Sequence, residues 1–274
     1  MPEEHDPTAH VMDYPALDLG NKECSKTHVA IVDLDVFVWG LEEIKDSKLP
    51  IAAVIASHGR CNSAKNMEPF ARGLLAEARE QEKASGRRKI RDLVVVTLKA
   101  DISDGATQDY DMIMKFLNPY LFPKGEREIT EWMATGISLG GNTVWRLLRE
   151  DPRIRVAVPI IGLPFEAFGP YLGARAVQGG LDFAPPIYPA TLRPYIESRE
   201  PESAYKDRKI LSIHGEIDEL VPYRFGKDKI AELKKNAPEG HIEVFVQKGK
   251  GHVCTPDMLR RAAEWFYRWG CTEP

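Results

Sequence analysis

A chain of 274 residues is long enough for one large α/β domain or two small ones, with a sizeable core. With 43% hydrophobic and 28% charged residues it reads as an ordinary soluble globular protein. A formal net charge of −4 gives no electrostatic reason to expect nucleic acid or an anionic membrane surface as a partner.

Residues 1 to about 25 are polar and carry Pro2, Pro7 and Pro15, which predicts a loose lead-in; the acidic start does not read as a signal peptide. No apolar run approaches the ~18 residues of a membrane-spanning helix. Cys24, Cys61, Cys254 and Cys271 are scattered without a CxxC pair or zinc spacing, so they read as free thiols of a reducing compartment. A cytoplasmic location is the expectation.

From about residue 26 the chain reads as a single domain. His28 to Val32 and Val36 to Trp39 predict an antiparallel hairpin or a pair of edge strands, with Asp33 and Asp35 between them. Ile51-Ala52-Ala53-Val54-Ile55-Ala56 is apolar throughout, as in a strand buried on both faces, and ends in Ser57-His58-Gly59-Arg60. Met67, Phe70, Ala71, Leu74, Leu75 and Ala78 then recur at helical spacing. Leu93 to Leu98 is the next buried strand, with Asp101 and Asp104 in its loop, read as caps of the following helix. That helix carries Ile113, Phe116, Leu117 and Tyr120. A partly apolar run, Ile129 to Ile137, leads into Gly136-Ile137-Ser138-Leu139-Gly140-Gly141, which opens a helix ending before Asp151-Pro152. Arg155 to Ile161, Ile210 to Gly215 and Ile242 to Val246 complete the strands. Thr255-Pro256-Asp257 starts a last helix that buries Leu259, Ala262, Ala263, Phe266 and Trp269. Alternating elements with apolar strands predict an α/β fold, a mostly parallel sheet covered on both faces. Function in such sheets collects at the carboxyl ends of the strands.

A G-x-S-x-G at a strand-to-helix junction is the pattern of a nucleophile elbow. Its glycines stand where a Cβ would collide with neighbouring backbone, and the serine sits where free helix N–H groups favour negative charge. His58-Gly59, Ser138, Asp218 and His252 each follow a different strand, as a shared site requires.

At Ser138 the chain resembles the α/β-hydrolase family of serine hydrolases. The family's order of nucleophile, acid and histidine reads here as Ser138, Asp218, His252. His214-Gly215-Glu216-Ile217-Asp218-Glu219-Leu220-Val221-Pro222 matches its H-G-x-x-D-x-x-V-P loop, and Gly249-Lys250-Gly251-His252 its G-x-G-H. The resemblance covers about residues 28 to 270. It implies an oxyanion hole from the backbone N–H of Leu139 and of Arg60, with Cys61 the second choice for the latter. His58 and Gly59 would shape that loop. His214 reads as packed, His241 as surface, and Cys254 as a buried thiol.

Arg60 departs from the apolar residue many members carry. A guanidinium there suits a substrate carboxylate or phosphate; the plainer reading is a solvent-facing side chain. The stretch from Gly162 to about Arg208 is placed where the family inserts a cap. It holds Phe165, Phe168, Tyr171, Leu172, Phe183 and Tyr188. These read as short helices walling an apolar acyl pocket, with Phe165 and Phe168 as substrate contacts, or else as aromatics that fasten the cap to the sheet.

The implied reaction is hydrolysis of a carboxylic ester, thioester or lactone through an acyl-serine, with a small-molecule acyl substrate and no metal or organic cofactor. A peptidase of the prolyl-oligopeptidase type, an acyltransferase and a ligand-binding pseudo-hydrolase are the alternatives.

Overall fold

The computed structural model describes residues 23–59, 64–98, 106–196 and 202–273. Most of the lead-in, together with Arg60, Cys61, Asp101 and Asp104, lies outside the described residues.

Among the described residues eight strands form one sheet, in the order β1-β2-β4-β3-β5-β6-β7-β8. β1 (Lys26–Ile31) and β2 (Leu34–Trp39) are an antiparallel hairpin, and β2 pairs antiparallel with β4 (Asp92–Leu98). All remaining pairings, through β3 (Ile51–Ser57), β5 (Ile129–Ile137), β6 (Ile154–Ile160), β7 (Lys209–Gly215) and β8 (Ile242–Gln247), are parallel. The hairpin is tighter than its sequence suggests. Asp35 pairs with Ala30 inside β2, so only Val32 and Asp33 turn, Val32 at φ 50. Only β1 of the two is an edge.

The unbroken apolar runs serve two cores. Along β3, Ala52, Val54 and Ala56 join one core, while Ile51, Ala53 and Ile55 join the other. The first core is closed by α1 (Ala64–Ser85) and α7 (Pro256–Phe266), through residues such as Phe70, Leu74, Met258 and Phe266. The second is closed by α2 (Ala106–Leu121), α3 (Leu139–Glu150) and α6 (Lys227–Asn236). A strand between two such layers has no polar face to show, which is why alternation is absent.

Two helical faces differ from their expected patterns. In α2 the buried positions are Tyr110, Ile113, Met114 and Leu117, while Phe116 and Tyr120 are exposed. The pairs spaced by three and four shift the stripe by one helical position, and Tyr110 is drawn inward by a hydrogen bond described below. At the C-terminus a π-turn, Tyr267–Cys271, follows α7 and rotates Trp269 to a half-buried site. Trp265 takes the buried place and donates to the Lys209 carbonyl at 3.3 Å.

Thr255 caps α7 as expected: its hydroxyl accepts from the Met258 N–H at 3.3 Å and donates to Gln247 Oε1 at 2.5 Å. Thr255→Ala removes the cap and leaves the Gln247 amide short of a partner. We expect a loss of ~1–2 kcal/mol, read by urea unfolding.

Between β6 and β7 the chain forms a one-turn 3-10 helix (Phe165–Ala167), α4 (Phe168–Gln178), and the short α5 (Arg193–Ile196). Among the described residues no helix is long and apolar enough to cross a membrane.

Candidate active site

The sharp turn after β5 positions Ser138. Its backbone lies at φ 57, ψ −116, a conformation L-residues rarely adopt, and its N–H donates to the Ile160 carbonyl at 2.9 Å. The turn is possible because its neighbours lack side chains. A Cβ on Gly136 would stand 2.4 Å from the Gly140 carbonyl oxygen, and one on Gly140 would stand 2.4 Å from that of Ser57. Leu139 follows as the first residue of α3, so its N–H has no intrahelical acceptor.

The acid and the histidine come from loops that extend the β7–β8 pairing. Glu216 N–H donates to Gln247 O at 3.0 Å, Ile217 N–H to Lys250 O at 3.0 Å, and the Glu216 carboxylate accepts from Gly249 N–H at 2.8 Å. Gly215 permits this closeness, since a Cβ there would meet the Gly251 carbonyl oxygen at 2.3 Å.

His252 bridges the two loops and the elbow. Its Nδ1 lies 2.7 Å from Asp218 Oδ2 and its Nε2 2.8 Å from Ser138 Oγ. A carboxylate only accepts, so the proton of neutral His252 sits on Nδ1, which leaves Nε2 to accept from the serine hydroxyl. The other Asp218 oxygen accepts from the Leu220 and Val221 N–H groups, each at 2.9 Å. The Asp218 and His252 side chains are 1% and 7% exposed, so water competes little for these bonds. Three side chains far apart in sequence thus form one hydrogen-bonded line.

No protein-family model matches this sequence, and no curated protein matches it. Solved structures match over most of its length. TT1662 from Thermus thermophilus is 20% identical over 90% of this chain and 98% of its own, at a TM-score of 0.57. The Pyrococcus furiosus esterase Pf2001 is 17% identical over 90% and 93%, at 0.56. The Pyrococcus horikoshii acylaminoacyl peptidase is 12% identical over 92% of this chain but only 42% of its own, at 0.55. The chain has the α/β-hydrolase fold. At these identities the likeness is one of fold.

In this α/β-hydrolase fold His58 and Gly59 are buried at the carboxyl end of β3, with His58 Nδ1 2.9 Å from the Gly59 carbonyl. Behind them the Ser57 hydroxyl meets the Tyr110 hydroxyl at 2.5 Å, tying α2 to the strand end beside the elbow. Burial pushes the Tyr110 phenol up to about 12, so it stays protonated.

Phe165 and Phe168, read as substrate contacts or as fasteners of the cap, pack against their neighbours. The Arg149 guanidinium lies 4.4 Å over the Phe165 ring, which is 5.7 Å from Phe168. Phe168 meets Tyr171 edge-on, and the Tyr171 hydroxyl donates to the Leu220 carbonyl at 3.0 Å, two residues past Asp218. The Asn142 side chain accepts from the Leu163 N–H at 2.8 Å, clamping the same connection to the elbow helix. Asn142 and Tyr110 carry no local motif that marks them in the sequence, while Tyr171 and Glu216 stand in segments read for other reasons.

His241 is partly exposed and lies edge-on to Trp269 at 5.2 Å. Among the described residues no group of three or more His, Cys, Asp or Glu is placed to hold a metal. His214 is buried in β7, bonded through Nε2 to the Ser212 hydroxyl at 2.7 Å and packed on Tyr223. Burial pushes its pKa down to about 3, against the small upward pull of Asp218. The unfolded chain would bind a proton on this ring below about pH 6.5 while the native state refuses it. The stabilisation is therefore whole above about pH 6.5 and is lost as the pH falls towards 3. We expect the Tm of wild type to drop more steeply between about pH 7 and pH 4 than that of His214→Gln, which has nothing to titrate.

Proposed function

We propose that this protein is a serine hydrolase cleaving a carboxylic ester, thioester or lactone through an acyl-serine intermediate. The observation that carries the reading is the unbroken line from Ser138 Oγ through His252 to Asp218. A serine hydroxyl is a poor nucleophile at neutral pH and needs an adjacent base. His252 Nε2 takes its proton as Oγ attacks the acyl carbon, and returns it to the leaving oxygen or sulfur. Asp218 stabilises the imidazolium formed in between. A water then attacks the acyl-serine by the same proton route, releasing the carboxylic acid. The negative oxygen formed at each attack is met by the Leu139 N–H at the start of α3 and, on this reading, by the N–H of Arg60; each donor contributes roughly 3 kcal/mol.

The connection between β6 and β7 is, in this reading, a cap. Tyr171 fixes it to the acid loop and Asn142 to the elbow, so the lid of the site and its catalytic groups share supports. Phe168 stays a candidate for the pocket wall, together with His58 and Gly59. A cytoplasmic, reducing location is supported by Cys24, Cys254 and Cys271, which form no disulfide among the described residues. The likeness to the P. horikoshii acylaminoacyl peptidase favours a peptidase as the second reading.

A fluorophosphonate probe is expected to label folded protein on Ser138 and to block turnover of p-nitrophenyl esters. Faster turnover of aminoacyl-arylamides than of those esters would shift the assignment to the peptidase. Absence of labelling, with the fold confirmed, would remove the nucleophile assignment.

A further inference from the structure

The parallel strands place the amino ends of β7 and β8 at the rim of the sheet opposite Ser138. A groove of about 450 Å³ opens there, between α6 and the segment entering β7. Its apolar lining is Tyr205, Leu233, Ala237, Pro238 and Ile242. Polar groups stand around it: Lys206 and Asp207 on one side, Lys229, Glu232 and Asn236 on the other.

We infer that this groove is a binding site for a small amphipathic carboxylate, with the aliphatic tail on Leu233, Ala237 and Ile242 and the head at Lys206. The charges around the rim are unequal in availability. Lys229 is held by Glu232 at 3.1 Å. Asp207 is exposed, and its charge reaches the adjacent guanidinium of Arg208. Lys206 is exposed and, among the described residues, makes no ion pair. One available ammonium beside an apolar floor complements one negative charge on an aliphatic body, rather than a dianion or a cation. The carbonyls ending α6 oppose an anion, and the exposed Lys234 and Lys235 in its last turn offset them.

One wall is rigid before any ligand arrives. The Tyr205 ring is edge-on to Trp145 of α3 at 6.0 Å, and its hydroxyl donates to the Glu166 carboxylate at 3.2 Å. A fixed wall spares the ordering cost that a flexible one would add to binding. The site is independent of the catalytic reading, because it shares no residue with the Ser138 line.

The test titrates octanoate into isotope-labelled full-length protein and follows amide NMR shifts, with octanol in a parallel titration. We expect saturable shifts centred on 205–207 and 229–242, octanol weaker by about tenfold, and Lys206→Glu weakening octanoate by about tenfold. Lys206 is exposed, and a retained spectrum shows that the variant folds. Shifts centred on 138, 218 and 252 would overturn the proposal, as would equal binding of octanol and octanoate, an unaffected Lys206→Glu, or no saturation.

Discussion

Ser138→Ala should lower kcat/KM for an activated ester by at least about ten-thousand-fold, or about 5 kcal/mol of transition-state stabilisation, and leave the fold intact. Alanine keeps the elbow geometry, because the strain at φ 57 is a backbone property that serine and alanine share. On the proposed mechanism, what it removes is the atom that attacks. The His252–Asp218 pair survives at its 2.7 Å contact but has no hydroxyl to deprotonate. Catalysis that remains would come from the N–H donors and from binding alone. The stability cost is one hydrogen bond from a nearly buried hydroxyl, about 1 kcal/mol, so Tm moves by about 2–4 °C. Steady-state kinetics beside a thermal melt decide the matter. A variant retaining a tenth of wild-type activity would mean that another group attacks.

The Ser138, Asp218 and His252 loops were legible in the sequence because each is marked by glycines with a local steric reason, and the structure brings the three side chains together. Gly215 is one such mark: it allows the acid loop to lie against the Gly251 carbonyl. The sheet was legible because β3 and β4 must be apolar on both faces. The α2 face was not legible because two stripes fit its spacing, and the buried one includes Tyr110, which reaches Ser57, 53 residues earlier. Trp269 was misplaced because a π-turn adds a residue that periodicity does not announce. The aromatics between β6 and β7 left two readings open, and the contacts they make, Arg149 on Phe165 and Tyr171 to Leu220, join residues with no sequence motif between them.

Gly140→Ala is expected to cost at least about 3 kcal/mol, although it adds only one methyl group to a helix. In an exposed helix the same change would help, since alanine is the better helix former. Here the new Cβ would lie 2.4 Å from the Ser57 carbonyl oxygen and 2.7 Å from that of His58. Both are backbone atoms and cannot rotate away. Ser57 is further pinned by its pairing with Gly136 in β5 and by the Tyr110 hydroxyl. Relief must come from moving α3 off the end of β3, which separates Ser138 from the His58-Gly59 loop. Folded variant should therefore lose activity as well as stability, with Tm lower by roughly 10 °C. Gly125→Ala is the control: its φ is +69, so alanine is strained there too, but a Cβ meets nothing within 4 Å. That variant should lose only about 1–2 kcal/mol and keep full activity. If the two melt alike, β3 and the elbow are not in backbone contact, and the steric reason given for the glycine at 140 fails.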